Sequence, residues 1–128
     1  MIFKMQEVGF YTDVEFGKLQ VAGDEAYGFR PYQLLVSSIA VCSGGTLRKV
    51  LEKKRMQVED ITIKTEVERN EAHANRVEKV YIHYVIKGKD LAEQKIQRSI
   101  EVAHRNCPIA QSVEGSIDII ETFEIVDA

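Results

Sequence analysis

Two periods of hydrophobic and polar positions divide the chain. In the first 28 residues, "IFKM", "VGFYTDVEF" and "KLQVAG" alternate apolar with polar residues, and Gly17 offers a turn between the last two. This region (1–28) predicts a meander of three short strands. "GDEAYGFR" (23–30) reads as a loop, rich in Gly and polar residues. From Pro31 the period becomes helical. Leu35, Ile39, Cys42 and Thr46 fall on one face; Leu34, Ser38, Val41 and Gly45 adjoin it; Leu47, Val50 and Leu51 continue the apolar surface. Pro31 suits a first turn, where its missing N–H would be unpaired anyway, and the basic end "RKVLEKKR" complements the helix dipole. The spacing predicts a central helix over 31–55, about 37 Å long.

The remainder, 59–128, returns to alternation and then to helix. "ITIKTEVE" (61–68) sets Ile61, Ile63, Thr65 and Val67 against polar neighbours. "VEKVYIHYVIK" (77–87) sets Val80, Ile82, Tyr84 and Ile86 on one side, with the polar "RNEAHANR" (69–76) as the hairpin connection. Asp90 is placed to N-cap a second helix with Glu93 closing a capping box, and Ala92, Ile96, Ile100 and Ala103 form its apolar stripe. In "RNCPIAQSVEG" Pro108 begins a short third helix that Gly115 ends. "SIDIIETFEIV" (116–126) is a last strand with Ile117, Ile119, Phe123 and Ile125 on one side. The predicted order is βββ-α-ββ-α-α-β. Strands gathered into two groups around a long helix define an α+β class rather than a βαβ series.

A length of 128 residues suits a single domain over 1–128. Its 45% hydrophobic and 29% charged residues are an ordinary globular balance. A net charge of −3 favours neither a nucleic-acid nor an anionic membrane partner. No uninterrupted apolar run approaches the ~20 residues of a bilayer span, and the charged start lacks the apolar core of a secretory signal. The expected location is cytoplasmic.

Candidate chemistry narrows to two thiols, Cys42 and Cys107, 65 positions apart. In a reducing compartment a permanent disulfide between them is not expected, whereas a transient one would be chemically useful. Pro108 makes Cys107 the N-cap of the short helix or its neighbour. There, unpaired N–H groups and the positive end of the helix dipole favour thiolate, and Arg105 and His104 lie just upstream. The other reading has Cys107 closing the apolar stripe of the second helix. Cys42 sits mid-helix among Leu35 and Ile39, surroundings that favour a neutral thiol. Around it Ser37, Ser38, Ala40, Ser43, Gly44 and Gly45 are all small, although each glycine costs a helix interior about 1 kcal/mol. Such a run trades intrinsic stability for the close approach of another element. His73, His83 and His104 share no metal-ligand spacing, and no phosphate-binding glycine loop occurs, so neither a metal nor a cofactor is expected.

"RPYQLLVSSIAVCSGGTLRKVL", followed about 60 residues later by "CPIAQSVEGSIDI", resembles the OsmC/Ohr family of osmotically induced and organic-hydroperoxide-resistance proteins. The resemblance implies an intertwined homodimer, with long central helices packed together and strands of both chains completing each half. It also implies a thiol peroxidase. Cys42 would attack an organic hydroperoxide and become sulfenic acid, Cys107 would condense with it to a disulfide, and an external dithiol would restore the pair. The sequence departs from the family in two places. Tyr32, followed by Gln33, stands where active members carry a glutamate, and no arginine precedes Arg30, which leaves Arg30 and Arg48 as the cations able to compensate. Two functions therefore stay open: a peroxidase or related oxidoreductase using Cys42 and Cys107, and a non-catalytic dimeric module that binds a small ligand or partner, its cysteines serving as packing.

Overall fold

The alternating N-terminal stretch pairs on itself. In the computed structural model, which describes residues 1–128, β1 (Lys4–Met5), β2 (Phe10–Val14) and β3 (Gly17–Val21) form an antiparallel sheet in the order β1-β2-β3. Val14 pairs with Gly17, so Glu15 and Phe16 make a two-residue hairpin link. Gly9 has φ +81°, and a Cβ there would collide with the Val21 carbonyl and Ala22, so only glycine fits. The chain divides into two compact units, residues 1–37 and 38–128.

Helix α1 (Pro31–Lys53) is two residues shorter than its periodicity predicts. Arg55 takes a left-handed conformation (φ 55°), and paired bonds from Arg55 N–H to Glu52 O (2.9 Å) and Met56 N–H to Leu51 O (3.1 Å) close the helix end. By length and composition alone α1 would pass for a membrane span, but 39% of its most apolar window is buried inside the protein. Its buried stripe is Val36, Ile39, Ala40, Ser43, Gly44, Leu47 and Leu51. The apolar pattern centres the face on Cys42, whereas the structure turns it by about one position. Physically, Ala40, Ser43 and Gly44 have the small side chains that let α1 settle close, and Cys42 comes to the edge, half-buried.

The 38–128 unit is built on one sheet, β4-β5-β6. β4 (Gln57–Asn70) and β5 (Arg76–Lys89) are a long antiparallel hairpin, each extending beyond its clearest alternation. A 3-10 turn at Glu71–His73 links them, with Asn70 Oδ1 accepting from Ala72 N–H at 3.0 Å. β6 (Asp118–Asp127) lies parallel to β5, which requires a crossover. Helices α2 (Glu93–Asn106) and α3 (Pro108–Ser112) supply it. The fold is thus α+β with three helices and two sheets.

One expected cap is corrected. Asp90 is not the N-cap of α2: its backbone is left-handed (φ 55°) and turns the chain out of β5, and Ala92 caps the helix without a side-chain bond. Ala92 is accordingly exposed, and the buried stripe of α2 is Ile96, Ser99, Ile100 and Ala103. These side chains, with Leu47 and Leu51 of α1 and Val80, Ile82, Tyr84 and Ile86 of β5, form the core. Each large apolar side chain buried there contributes about 2 kcal/mol.

Candidate active site

Local chain geometry brings the two sulfurs together. Pro108 occupies the first turn of α3, so Cys107 becomes its N-cap, with extended backbone (φ −83°, ψ 112°) and its sulfur aimed back at the helix. There Cys107 Sγ accepts the N–H of Ala110 at 3.4 Å and the hydroxyl of Ser43, from α1, at 3.5 Å. Cys42, one residue before Ser43, is hydrogen-bonded to Cys107. Both cysteines are free thiols. Burial and hydrogen bonds together set the charge of this pair.

Their environments push them apart. Burial raises the Cys107 pKa, but the hydroxyl of Ser43, the N–H of Ala110, the Cys42 thiol and the N–H of Ile109 outweigh it and hold the thiol below its ordinary value. For Cys42, burial is again the largest influence and raises the pKa; the N–H of Ile109 opposes it, while the bond to Cys107 and its charge raise it further. Lys49, two helical turns along α1, is the cation that lowers it. The net result keeps the Cys42 proton in place. When the pair loses its first proton, the anion rests on Cys107 with Cys42 as a donor to it.

Behind Ser43 lies a polar cluster within the core. Tyr84, wholly buried at the centre of β5, donates to Glu121 Oε2 at 2.8 Å. Tyr84 pairs with Phe123 across the β5–β6 ladder, so Glu121, two positions back, shares its face. Glu121 Oε1 in turn meets His104 Nδ1 at 3.0 Å, and His104 Nε2 faces Glu114 at 3.5 Å. Burial first, then the charge of Glu121 and the hydrogen bond to it, raise the Tyr84 pKa far above that of a free phenol. Tyr84 therefore stays a neutral hydroxyl.

The other residues singled out from the sequence lie elsewhere. Tyr32 belongs to the 1–37 unit, where the Arg30 guanidinium stacks over its ring, 4.9 Å from the centroid. Arg48 lines a cavity of about 300 Å³ with Leu51, Glu52, Met56, Glu59 and Asp60, and neither cysteine borders it. His83 bonds Thr122 at 2.7 Å on the sheet. Sequence reasoning missed Lys49, Tyr84 and Glu121, and took Ser43 only as a small residue. For Glu121 a signal existed: a carboxylate interrupts the apolar face of β6 between Ile119 and Phe123.

Comparisons with known proteins bear on the family and the fold. The family model described as OsmC-like protein matches residues 22–122. Protein YhfA of Escherichia coli K12 is 26% identical over 108 residues, 84% of this chain and 79% of its own length. Organic hydroperoxide resistance protein OhrB of Bacillus subtilis is 28% identical over 92 residues, covering 72% of this chain and 67% of its own. Among solved structures, a hypothetical protein from Aquifex aeolicus superposes with a TM-score of 0.88 at 26% identity, covering 99% of this chain and 95% of the other. With its fold, its two meeting thiols and a match over most of its length, the chain belongs to the OsmC-like protein family.

Proposed function

We propose that the protein is a cysteine-dependent thiol peroxidase that reduces organic hydroperoxides through the Cys42–Cys107 pair. The observation that carries this reading is the meeting of two free thiols, remote in sequence, inside one set of hydrogen-bond donors. The name of the Bacillus relative, organic hydroperoxide resistance protein, supports the substrate class.

Accessibility supports the order of the steps. Cys107 has no exposed surface, whereas Cys42 is half-buried and open to a small molecule. A proton shift within the pair turns Cys42–SH···⁻S–Cys107 into Cys42–S⁻···HS–Cys107. Cys42 then attacks the outer peroxide oxygen: an S–O bond forms, the O–O bond breaks, and the alkoxide takes up a proton to leave as alcohol. Cys107 next attacks the Cys42 sulfenic acid, forming the S–S bond and releasing water. The two sulfurs close to a bond of about 2.05 Å in that step. An external dithiol restores both thiols by exchange.

The assembly proposed with this activity is a homodimer. Val41 is 68% exposed on α1 beside exposed Ser37, Ser38 and Gly45, and Met5, Phe10 and Phe16 of the 1–37 unit are exposed as well. Covering that much apolar surface favours a second copy. The expected location is the cytoplasm, where reductants keep both thiols free between turnovers.

The test adds one equivalent of cumene hydroperoxide to reduced protein and counts thiols. Rapid loss of both thiols per chain, abolished by Cys42→Ser, is the expected result. Thiols that stay reduced over many minutes overturn it and leave the non-catalytic dimeric module.

A further inference from the structure

We propose that an external thiol breaks the oxidised Cys42–Cys107 pair by attacking the Cys42 sulfur, so that Cys107 is the sulfur that leaves and Ser43 is the side chain that receives it. The inference rests on the peroxidase reading for its place in turnover and addresses a point which that reading leaves open, the sulfur at which the disulfide is cut. Either sulfur of a disulfide can be attacked, and the choice follows access and the ability of the other sulfur to depart. Here both favour the same choice. Cys107 has no exposed surface, while Cys42 is half-buried at the edge of α1. Lys49, exposed and near enough to act on the Cys42 sulfur, favours the approach of an anionic thiolate on that side.

Departure favours Cys107. The Ser43 hydroxyl donates to Cys107 Sγ at 3.5 Å and the Ala110 N–H donates to it at 3.4 Å, and both donors belong to completely buried residues. Charge arriving on this sulfur therefore meets hydrogen-bond donors already in place. These bonds hold the Cys107 thiol below its ordinary pKa, whereas burial holds Cys42 above, so Cys107 is the better leaving group. The electrons balance. The attacking thiolate forms an S–S bond to Cys42, the Cys42–Cys107 bond breaks, and its electron pair stays on Cys107 as thiolate. With a dithiol, the second thiolate then attacks the reductant's own sulfur in this mixed disulfide, and Cys42 leaves. Cys42 takes up one of the two protons that the dithiol gave up, the other goes to solvent, and the reductant departs as a disulfide. What remains is Cys42–SH beside Cys107–S⁻, the resting pair, two electrons richer. Ser43 never touches the reductant; it is a positioning residue acting through Cys107.

The test needs no peroxide. Diamide closes the pair to the disulfide, excess mercaptoethanol opens it, and acid stops the reaction before it is complete. Freed thiols are alkylated in acid with N-ethylmaleimide, and peptide masses locate the adducts. Mercaptoethanol should be found on Cys42, with the alkyl group on Cys107, in about ten chains for every reverse one. Adducts on Cys107 in equal or greater number overturn the proposal. Ser43→Ala should slow the opening by about threefold, because a leaving thiol of higher pKa departs more slowly. It should not slow the attack of mercaptoethanol on Cys107→Ser protein carrying glutathione on Cys42, where Cys107 is not the leaving sulfur. No loss in the first reaction, or an equal loss in both, overturns the part given to Ser43, since a merely structural defect slows both. Should Ser43→Ala fail to fold, the adduct positions in wild type decide alone. If adducts fall on Cys42 while cumene hydroperoxide leaves both thiols intact, the peroxidase reading fails and this inference stands. Peroxide consumption with adducts on Cys107 sinks only the inference, and a pair that diamide cannot close sinks both.

Discussion

Gly44→Ala tests why this helix accepts glycine at its centre. A Cβ built on Gly44 lies 2.5 Å from Ile63 Cδ1 and 3.7 Å from its Cγ1, and meets nothing else within 4 Å. Alanine in a helix interior gains about 1 kcal/mol over glycine. Against that, the Ile63 terminal methyl must leave its place, an overpacking cost of about 1–3 kcal/mol. The gain offsets part of the cost, so the single variant should range from neutral to destabilised by about 2 kcal/mol, an equivocal result alone. A double-mutant cycle isolates the contact. Ile63→Val removes Cδ1 and by itself costs about 1 kcal/mol. In that background the added methyl has room, and Gly44→Ala should then stabilise by about 1 kcal/mol, giving a favourable coupling of about 1–3 kcal/mol. Denaturant unfolding of the four proteins, followed by far-ultraviolet circular dichroism, measures it. A coupling of zero would mean that α1 does not approach β4 at Ile63, and the packing argument for the small residues beside Cys42 would be wrong.

Three further outcomes are expected. Tyr84 has a pKa raised above its ordinary 10.0, so unfolded chains ionise it at lower pH than folded ones do; its contribution is intact below pH 10.0 and is lost as pH rises, at up to about 1.4 kcal/mol per pH unit. Urea midpoints measured up this alkaline range should fall more steeply for wild type than for Tyr84→Phe, and parallel falls would contradict the assignment. Gly45 has open space around it, and Gly45→Leu should convert the proposed dimer to monomers in sedimentation while leaving the circular dichroism unchanged; an undisturbed dimer would put the interface elsewhere. Ser43→Ala removes a donor to the Cys107 sulfur and should raise the pH midpoint of its thiolate absorbance by about one unit, whereas an unchanged midpoint would show that this hydroxyl does not hold the charge.

Much of the frame was legible because it depends on local chemistry. Pro108 fixes the first turn of α3, and that alone places Cys107 at the cap. The alternation of Val80, Ile82, Tyr84 and Ile86 marks the buried face of β5 because strand periodicity is strict. What was not legible depends on partners distant in sequence. Asp90 reads as a cap by spacing, but its left-handed backbone spends it on the exit from β5. The face of α1 is displaced from its apolar stripe because small residues, which hydrophobicity counts as weak, decide how closely it packs. The resting charge of the thiol pair is invisible in sequence, since Ser43, Ala110 and Cys42 converge on Cys107 only after folding. Tyr84 passed as an apolar core residue, and its hydroxyl gained meaning only when Glu121 was seen beside it.

The most direct measurement is the intact mass of denatured protein after one equivalent of organic hydroperoxide. The account predicts single chains lighter by two hydrogens, with Cys42 and Cys107 recovered as one cross-linked pair of peptides. Unchanged mass, or chains joined to each other through these cysteines, would contradict it.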